Sequence, residues 1–288
     1  MNALWRHDVR RRLGAALGWG VILGALAGAM AAFYDTVAQA QAQFAALLAA
    51  YPEALLAFFT APDLAVFTPA GFLHAEIFSY LPFLLGFHAA LVGANLIRED
   101  EARGVLDVLL ARPISRQAFF AARVLAALSA LVVILACLAV GLWVGQAIAT
   151  HVDLTWTAVL RALAPVAVQW LVVFALALAL SLVLPTRGQA AALTLFALVV
   201  AFFAPPLARL RPELEPWARL SPLWVYPGGR ALVTAPAWSE QGLWLGVSAL
   251  VLAFALWRFV TRDVRVRGEG RGRWPWARGS RPRGRGPQ

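Results

Sequence analysis

The stretch VLAALSALVVILACLAVGLWVG, residues 124–145, decides the fold class of this 288-residue chain. It contains no charged side chain, and it exceeds the roughly 20 apolar residues that a helix needs to cross a bilayer core. Similar windows recur along the chain, whose mean hydropathy is +0.71 and whose charged residues make up 14% of the total. We therefore predict an all-α polytopic membrane protein.

Hydropathy predicts six membrane spans within one transmembrane domain, residues 1–262. The spans lie near residues 13–34, 72–97, 118–148, 160–184, 189–208 and 240–258. The first apolar run exceeds the roughly 7–15 apolar residues of a signal peptide, which favours a membrane helix over a cleaved leader.

Three further segments lie outside these spans. Residues 35–71 carry a helical pattern, and Thr68-Pro69 is typical of an N-cap followed by the first helical position. Residues 203–229 are rich in Pro and Trp, which predicts short, broken or re-entrant helices at the outer surface. Residues 263–288, rich in Arg, Gly and Pro, are predicted to form a disordered tail that contacts lipid headgroups or has no role, with nucleic acid as the less favoured partner.

Arginine placement predicts the orientation. With both termini in the cytoplasm, 20 of the 25 arginines lie on the inner side and five on the outer side. The positive-inside rule favours this arrangement. It places the charged stretch EDEARGVLDVLLARPISR, residues 99–116, in the cytoplasm.

Composition excludes several kinds of chemistry. Lysine is absent, so the chain holds no GxxxxGK[ST] phosphate-binding loop and any ATP must be bound by another chain. No HExxH or similar catalytic pattern appears, so we predict that this chain is not an enzyme and binds no metal or cofactor itself. Span centres lack Asp and Glu, which disfavours ion coupling. His88 is either a proton carrier or ligand, or, as we favour, a hydrogen-bond partner of a neighbouring helix.

Residues 100–111 predict a short amphipathic helix. Asp100, Arg103, Gly104 and Asp107 fall on its polar side, and the apolar side holds Leu106, Leu109 and Leu110. Pro113 ends this helix and Ser115 can cap the next one. From the pattern alone, a helix lying on lipid and a helix docking on a soluble partner are equally supported.

A family resemblance separates these two alternatives. IREDEARGVLDVLLARPISRQAFFAARVLAAL, residues 97–128, resembles the cytoplasmic-loop signature of ABC-2-type exporter permeases, the membrane subunits of a class of ABC transporters. Residues 51–82 and LSPLWVYPGG, residues 220–229, resemble other parts of these permeases. The matching signature positions are Glu99, Asp100, Glu101, Gly104, Leu106, Asp107, Leu109, Leu110, Pro113, Ser115 and Arg116. Val105 stands where the family usually has Thr.

The resemblance implies a membrane subunit that pairs with a second permease subunit in a bacterial or archaeal plasma membrane. Each permease would dock on an ATPase subunit that binds Mg-ATP, through a coupling helix that also includes Arg103. We expect the polar side of that helix to meet the ATPase and the Leu side to face the chain's own helices. The N-terminal segment resembles an interfacial helix, with Trp5 at the headgroups and Arg10, Arg11 and Arg12 facing phosphate or the ATPase.

The resemblance also implies export of a lipophilic or amphiphilic substrate such as a drug, an antibiotic or a lipid. The alternatives are an ATPase-independent secondary transporter or channel, and a non-transporting scaffold of an ABC-like complex.

Small residues at four-residue spacing form a second pattern. Gly20, Gly24 and Gly28 lie on one face of the first span. Such spacing lets helix backbones approach closely in lipid. It predicts either packing within the chain, which we favour, or a dimer interface.

Overall fold

The computed structural model describes residues 2–52, 55–56, 64–102 and 114–262, and over these ranges the chain is helical, with no strand. Six helical stretches are long and apolar enough to cross a membrane, which confirms the predicted fold class. They are α1 (Asn2–Gln39), α3 and α4 together (Pro69–Leu73 and Leu81–Asn95, joined by a π-helical turn at His74–Phe78), α6 (Arg116–Ile148), α7 (Trp156–Val183), α8 (Arg187–Leu210) and α10 (Trp238–Thr261).

Shorter elements connect these stretches. They are α2 (Gln41–Ala49), α5 (Arg98–Ala102), α9 (Glu215–Ala218) and three 3₁₀ turns at Pro212–Leu214, Pro222–Val225 and Gly228–Leu232. The N-cap at Thr68 is confirmed: its Oγ1 accepts a hydrogen bond from the backbone N of Gly71 at 3.1 Å. The same geometry starts α7 at Thr155 and α8 at Thr186.

The helices form two groups. α1 packs along α6 over much of its length, whereas α7 lies among α4, α8 and α10. α7 and the α3–α4 stretch are the most buried spans, and α10 is the least buried. Contacts between α6 and α7 join the two groups.

The glycines of α1 belong to the packing of α1 on α6. Gly24 and Gly28 are buried, and a Cβ atom at either position would collide with a backbone carbonyl of α6, at Cys137 or Gly141. Gly20 is buried against the Cys137 side chain. Gly20, Gly24 and Gly28 thus pack within the chain, which agrees with the alternative that the sequence favoured, because no side chain keeps the two backbones apart there.

α1 also differs from the predicted N terminus. We expected a separate interfacial helix before a span beginning near residue 13, but a single helix runs from Asn2 to Gln39. Its charged first turns continue the helix because Asp8 and Arg11 have partners in other segments. Trp5 donates from Nε1 to Ser129 Oγ of α6 at 3.3 Å, which holds this end of α1 on its neighbour.

The first part of the proline-rich segment, residues 203–210, belongs to the spanning helix α8. α8 runs through Pro205 and Pro206 to Leu210, although proline removes a backbone donor and usually interrupts a helix. The Ala201 carbonyl, four residues before Pro205, instead accepts a hydrogen bond from Ser221 Oγ at 2.8 Å. Short helices follow from Pro212 onward, as the sequence predicted.

Side chains of the long helices hold that segment in place. Arg161 of α7 donates from Nε to the Ala231 carbonyl at 2.7 Å and from Nη2 to the Leu232 carbonyl at 2.8 Å. Gln169 and Gln241 donate to the carbonyls of Pro222 and Val225, each at 2.9 Å. We call this end of the bundle the distal end.

Candidate functional site

The opposite end of the bundle holds a buried ion cluster centred on Arg123 of α6. Arg123 Nη1 donates to Asp8 Oδ1 of α1 at 2.7 Å, and Nη2 donates to Asp100 Oδ2 of α5. All three residues are buried, at 1% exposure for Asp8 and 4% for Asp100 and Arg123. One guanidinium therefore joins α1, α6 and the segment that leads into residues 103–113. We call this end of the bundle the charged end.

Arg11 adds a second link between α1 and α5. Its Nη2 lies 3.0 Å from Glu99 Oε1, and its Nη1 lies 3.6 Å from Asp100 Oδ1. Arg11 is one helical turn beyond Asp8, so two neighbouring positions of α1 contact the same short helix. The N-terminal helix and the start of the loop are thus bound together.

Glu101 connects α5 to α10. Its carboxylate accepts from Arg262 Nη2, at 2.7 Å to Oε1 and 2.8 Å to Oε2, and it lies 3.2 Å from Arg98 Nη1. Its side chain is only 17% exposed. Residue 262 directly follows the last spanning helix, so both ends of the described chain meet at α5.

Arginine side chains also cap helix C-termini at the charged end. Arg98 donates to the carbonyls of Ser181 and Leu184 at the end of α7. Arg116 donates from Nη1 to the carbonyls of Val260 at 3.1 Å and Arg262 at 2.8 Å. The last carbonyls of a helix have no partner within it, and they interact favourably with cations.

The cluster contains both arginines and carboxylates, and Arg12 lies within electrostatic range of Asp8 and Glu99. Four arginines face four carboxylates: Arg11, Arg98, Arg123 and Arg262, with Asp8, Glu99, Asp100 and Glu101. Breaking a buried pair by removing one partner costs about 3–5 kcal/mol, because the remaining charge stays buried without compensation. Asp8 Oδ2 and Arg123 Nε already lie buried without a hydrogen-bond partner among the described residues. The central three groups therefore depend on one another.

The structure places part of the predicted ATPase-docking helix against the chain's own residues. We expected Asp100 to lie on a face that meets a partner, but it is buried against Arg123. Glu101 and Arg116 are likewise engaged within the chain. Ser115 caps α6 as predicted, its Oγ accepting from the backbone N of Ala118 at 3.2 Å. The remaining predicted positions lie outside the described residues: Arg103, Gly104, Leu106, Asp107, Leu109, Leu110 and Pro113.

The three neighbouring arginines of α1, Arg10, Arg11 and Arg12, have different surroundings in the structure. Arg11 faces Glu99 and Asp100, whereas Arg10 is exposed and Arg12 is half-buried on the same helix. Of the three arginines, Arg10 is thus the one whose side chain is most open to phosphate or to another chain.

Sequence reasoning missed Asp8 and Arg123 as a pair. Arg123 lies in an otherwise apolar stretch of α6, and an arginine in such a setting requires an acidic partner. That signal identifies Arg123 as a residue with a partner. It does not select Asp8 from more than one hundred residues away, because only the folded contact of α1 with α6 brings the two together.

His88 of α4 has a structural partner. Trp170 of α7 donates from Nε1 to His88 Nδ1 at 3.1 Å, and the Trp19 ring of α1 lies edge-on to the imidazole with centroids 5.4 Å apart. The imidazole joins three helices in the bundle interior. This arrangement agrees with the hydrogen-bonding alternative that the sequence favoured.

Six apolar helical stretches define a multi-pass membrane protein. Ion pairs hold Asp100 and Glu101 on one side of residues 103–113, and hydrogen bonds hold Arg116 on the other side. The chain belongs to the ABC-2 transporter family: the family model described as "ABC-2 family transporter protein" matches residues 4–264. It is therefore a membrane permease of an ABC transporter. A search of curated proteins gave no match.

Proposed function

We propose that this chain is the permease subunit of an ATP-driven exporter and that residues 103–113 dock on a separate ATPase subunit. The observation that carries the proposal is the buried Arg123, which bonds to both Asp8 of α1 and Asp100 at the start of the loop. A force on the loop would act through these ion pairs on two spanning helices at once.

The far side of the loop supports the same proposal. α6 begins directly after the loop with the Ser115 cap, and Arg116 holds the carbonyls at the end of α10. Glu101 reaches α10 from the other side through Arg262. The loop thus has rigid attachments to α1, α6 and α10, which suits a coupling element.

ATP binding belongs to the partner in this proposal. The chain has no lysine and hence no GxxxxGK[ST] loop, so Mg-ATP would be held by the ATPase subunit. Two permeases would pair, as the family resemblance implies. The charged end would face the cytoplasm, because most arginines lie in the segments that the positive-inside rule places on the inner side of the membrane. A lipophilic or amphiphilic cargo is consistent with the apolar spans.

Copurification tests this proposal. The tagged chain is purified from its native cells, and an ABC ATPase subunit is expected to copurify with the wild type. Because Asp100 and Glu101 are bonded within the chain, charge reversal there would disturb the fold as well as docking. The variant of choice is therefore Asp107→Arg in the predicted loop helix, with Asp153→Arg, exposed at the distal end, as the matched control.

The proposal requires that Asp107→Arg releases the ATPase while Asp153→Arg retains it. Retention of the ATPase by both variants, with normal expression and thermal stability, would show that the loop does not form the docking surface.

A further inference from the structure

A cavity of about 710 Å³ lies at the distal end between the second half of α1, α2 and the α3–π turn. We infer that this cavity binds a hydrophobic monovalent cation, with Glu76 as the counter-charge. Its interpretation as a cargo site rests on the proposed transport function. The binding itself requires neither ATP nor an ATPase, so it is tested separately below.

The wall of the cavity is apolar and rich in aromatic rings. Six aromatic side chains line it: Phe33, Phe44, Tyr51, Phe67, Phe72 and Tyr80. The faces of such rings carry partial negative charge and attract cations, more strongly where water is excluded. A volume of this size lies within the range of pockets that hold small organic ligands.

Glu76 is the acidic side chain among the described residues of this wall. It is half-buried, and it forms no hydrogen bond or ion pair with any residue that the structure describes. A carboxylate beside apolar surface is costly unless a positive charge compensates it. The site therefore favours a ligand that brings that charge.

None of the described residues that line this cavity is basic. Arg230 lies in the turn Gly228–Leu232, which packs against the π turn, but the cavity lining does not include it. The described residues that line the cavity run from Met30 to Tyr80, and between Arg12 and Arg98 the sequence contains no Arg or Lys. The nearby His74 accepts a hydrogen bond at Nδ1 from the backbone N of Gly229 at 3.0 Å, so its ring is oriented toward another segment. An external cation would therefore supply the counter-charge that the described lining lacks.

The backbone at Glu76 is unusual in a way that supports a binding role. His74–Phe78 forms a π-helical turn, closed by the Ser79 N to His74 carbonyl hydrogen bond of 2.8 Å. Single π turns are rare and occur frequently at functional sites. The facing wall is held in position, because Tyr34 donates from its hydroxyl to the Phe67 carbonyl at 2.6 Å.

Tetraphenylphosphonium is the probe, with tetraphenylborate as an anion of the same shape. Equilibrium dialysis measures binding of each ion to the full chain in phosphatidylcholine nanodiscs, without ATP or ATPase, relative to empty nanodiscs. We expect saturable binding of the phosphonium and at least a tenfold loss of its affinity in Glu76→Gln. Glu240→Gln removes the same charge from an exposed position at the distal end and should bind like the wild type.

Tyr51→Ala is a second variant that keeps the carboxyl group. Tyr51 is 55% exposed at the rim, so its replacement leaves the core intact, and we expect about a threefold loss of phosphonium affinity from the lost ring contact. Borate binding should not fall in Glu76→Gln. The inference is overturned if the wild type binds no more phosphonium than empty nanodiscs. Wild-type affinity in both pocket variants, or an equal loss in Glu240→Gln, would overturn it as well.

Discussion

Arg123 of α6 and Asp8 of α1 form a buried ion pair of 2.7 Å between segments that are 115 positions apart in the chain. The same guanidinium also bonds to Asp100, at the start of the loop. This relationship explains why α1 continues as one helix to the charged end. It also makes the position of the loop depend on the packing of the first spanning helix.

Replacement of Arg123 should be strongly destabilising. We expect Arg123→Met to cost about 3–5 kcal/mol, because Asp8 would lose its ion-pair partner and Asp100 would keep only Arg11, 3.6 Å away. Thermal unfolding in detergent measures the loss, with Arg10→Gln, an exposed arginine of α1, as the control. The triple variant Asp8→Asn, Asp100→Asn, Arg123→Met should recover most of the lost stability. If Arg123→Met alone does not lower the melting temperature, the cluster has no structural role.

The close packing of α1 on α6 predicts different outcomes for two glycines. At Gly141 a Cβ atom would collide with the backbone of Gly24, so Gly141→Val should destabilise the chain by about 1–3 kcal/mol or more through overpacking. Gly246 of α10 has open space around it, so Gly246→Val should leave thermal stability unchanged. Equal melting temperatures for the two variants would contradict this packing.

Ser221 supports α8 where proline interrupts the backbone hydrogen bonds. Ser221→Ala removes the hydrogen bond to the Ala201 carbonyl and the one accepted from the backbone N of Leu223. We expect a loss of about 1–3 kcal/mol, because a partly buried acceptor loses its donor. Ser239→Ala, at an exposed position of α10, is the matched control for the melting-temperature measurement. If both variants melt like the wild type, Ser221 is not needed at the proline pair.

The spans were predictable because the ability of a helix to cross a membrane depends on its local sequence alone. About 20 consecutive apolar residues suffice to identify a helix that crosses lipid, and each of the six appeared near its predicted place. Caps at Thr68 and Ser115 were predictable for the same reason, since a cap contacts a backbone group three residues away.

The candidate site depends on contacts that no local pattern contains. The acidic side of the predicted loop helix was expected to face a partner, yet Asp100 turns inward because Arg123 and Arg11 lie there. Likewise, the spacing of Gly24 and Gly28 indicated close packing without showing that α6 is the neighbour. Pairing across the fold decides which charged or small residue faces inward.

The most direct test of the central claim is whether ATP used by the partner ATPase moves these helices. Donor and acceptor dyes are attached at Arg10→Cys of α1 and Gln189→Cys of α8, both exposed, in a Cys137→Ala chain that otherwise has no cysteine. The labelled chain is diluted with unlabelled chain and reconstituted with the ATPase in nanodiscs. The account predicts that Mg-ATP shifts the energy-transfer efficiency between the dyes, and that ADP does not. The same efficiency in Mg-ATP and in ADP, while the ATPase hydrolyses ATP, would contradict coupling through this permease.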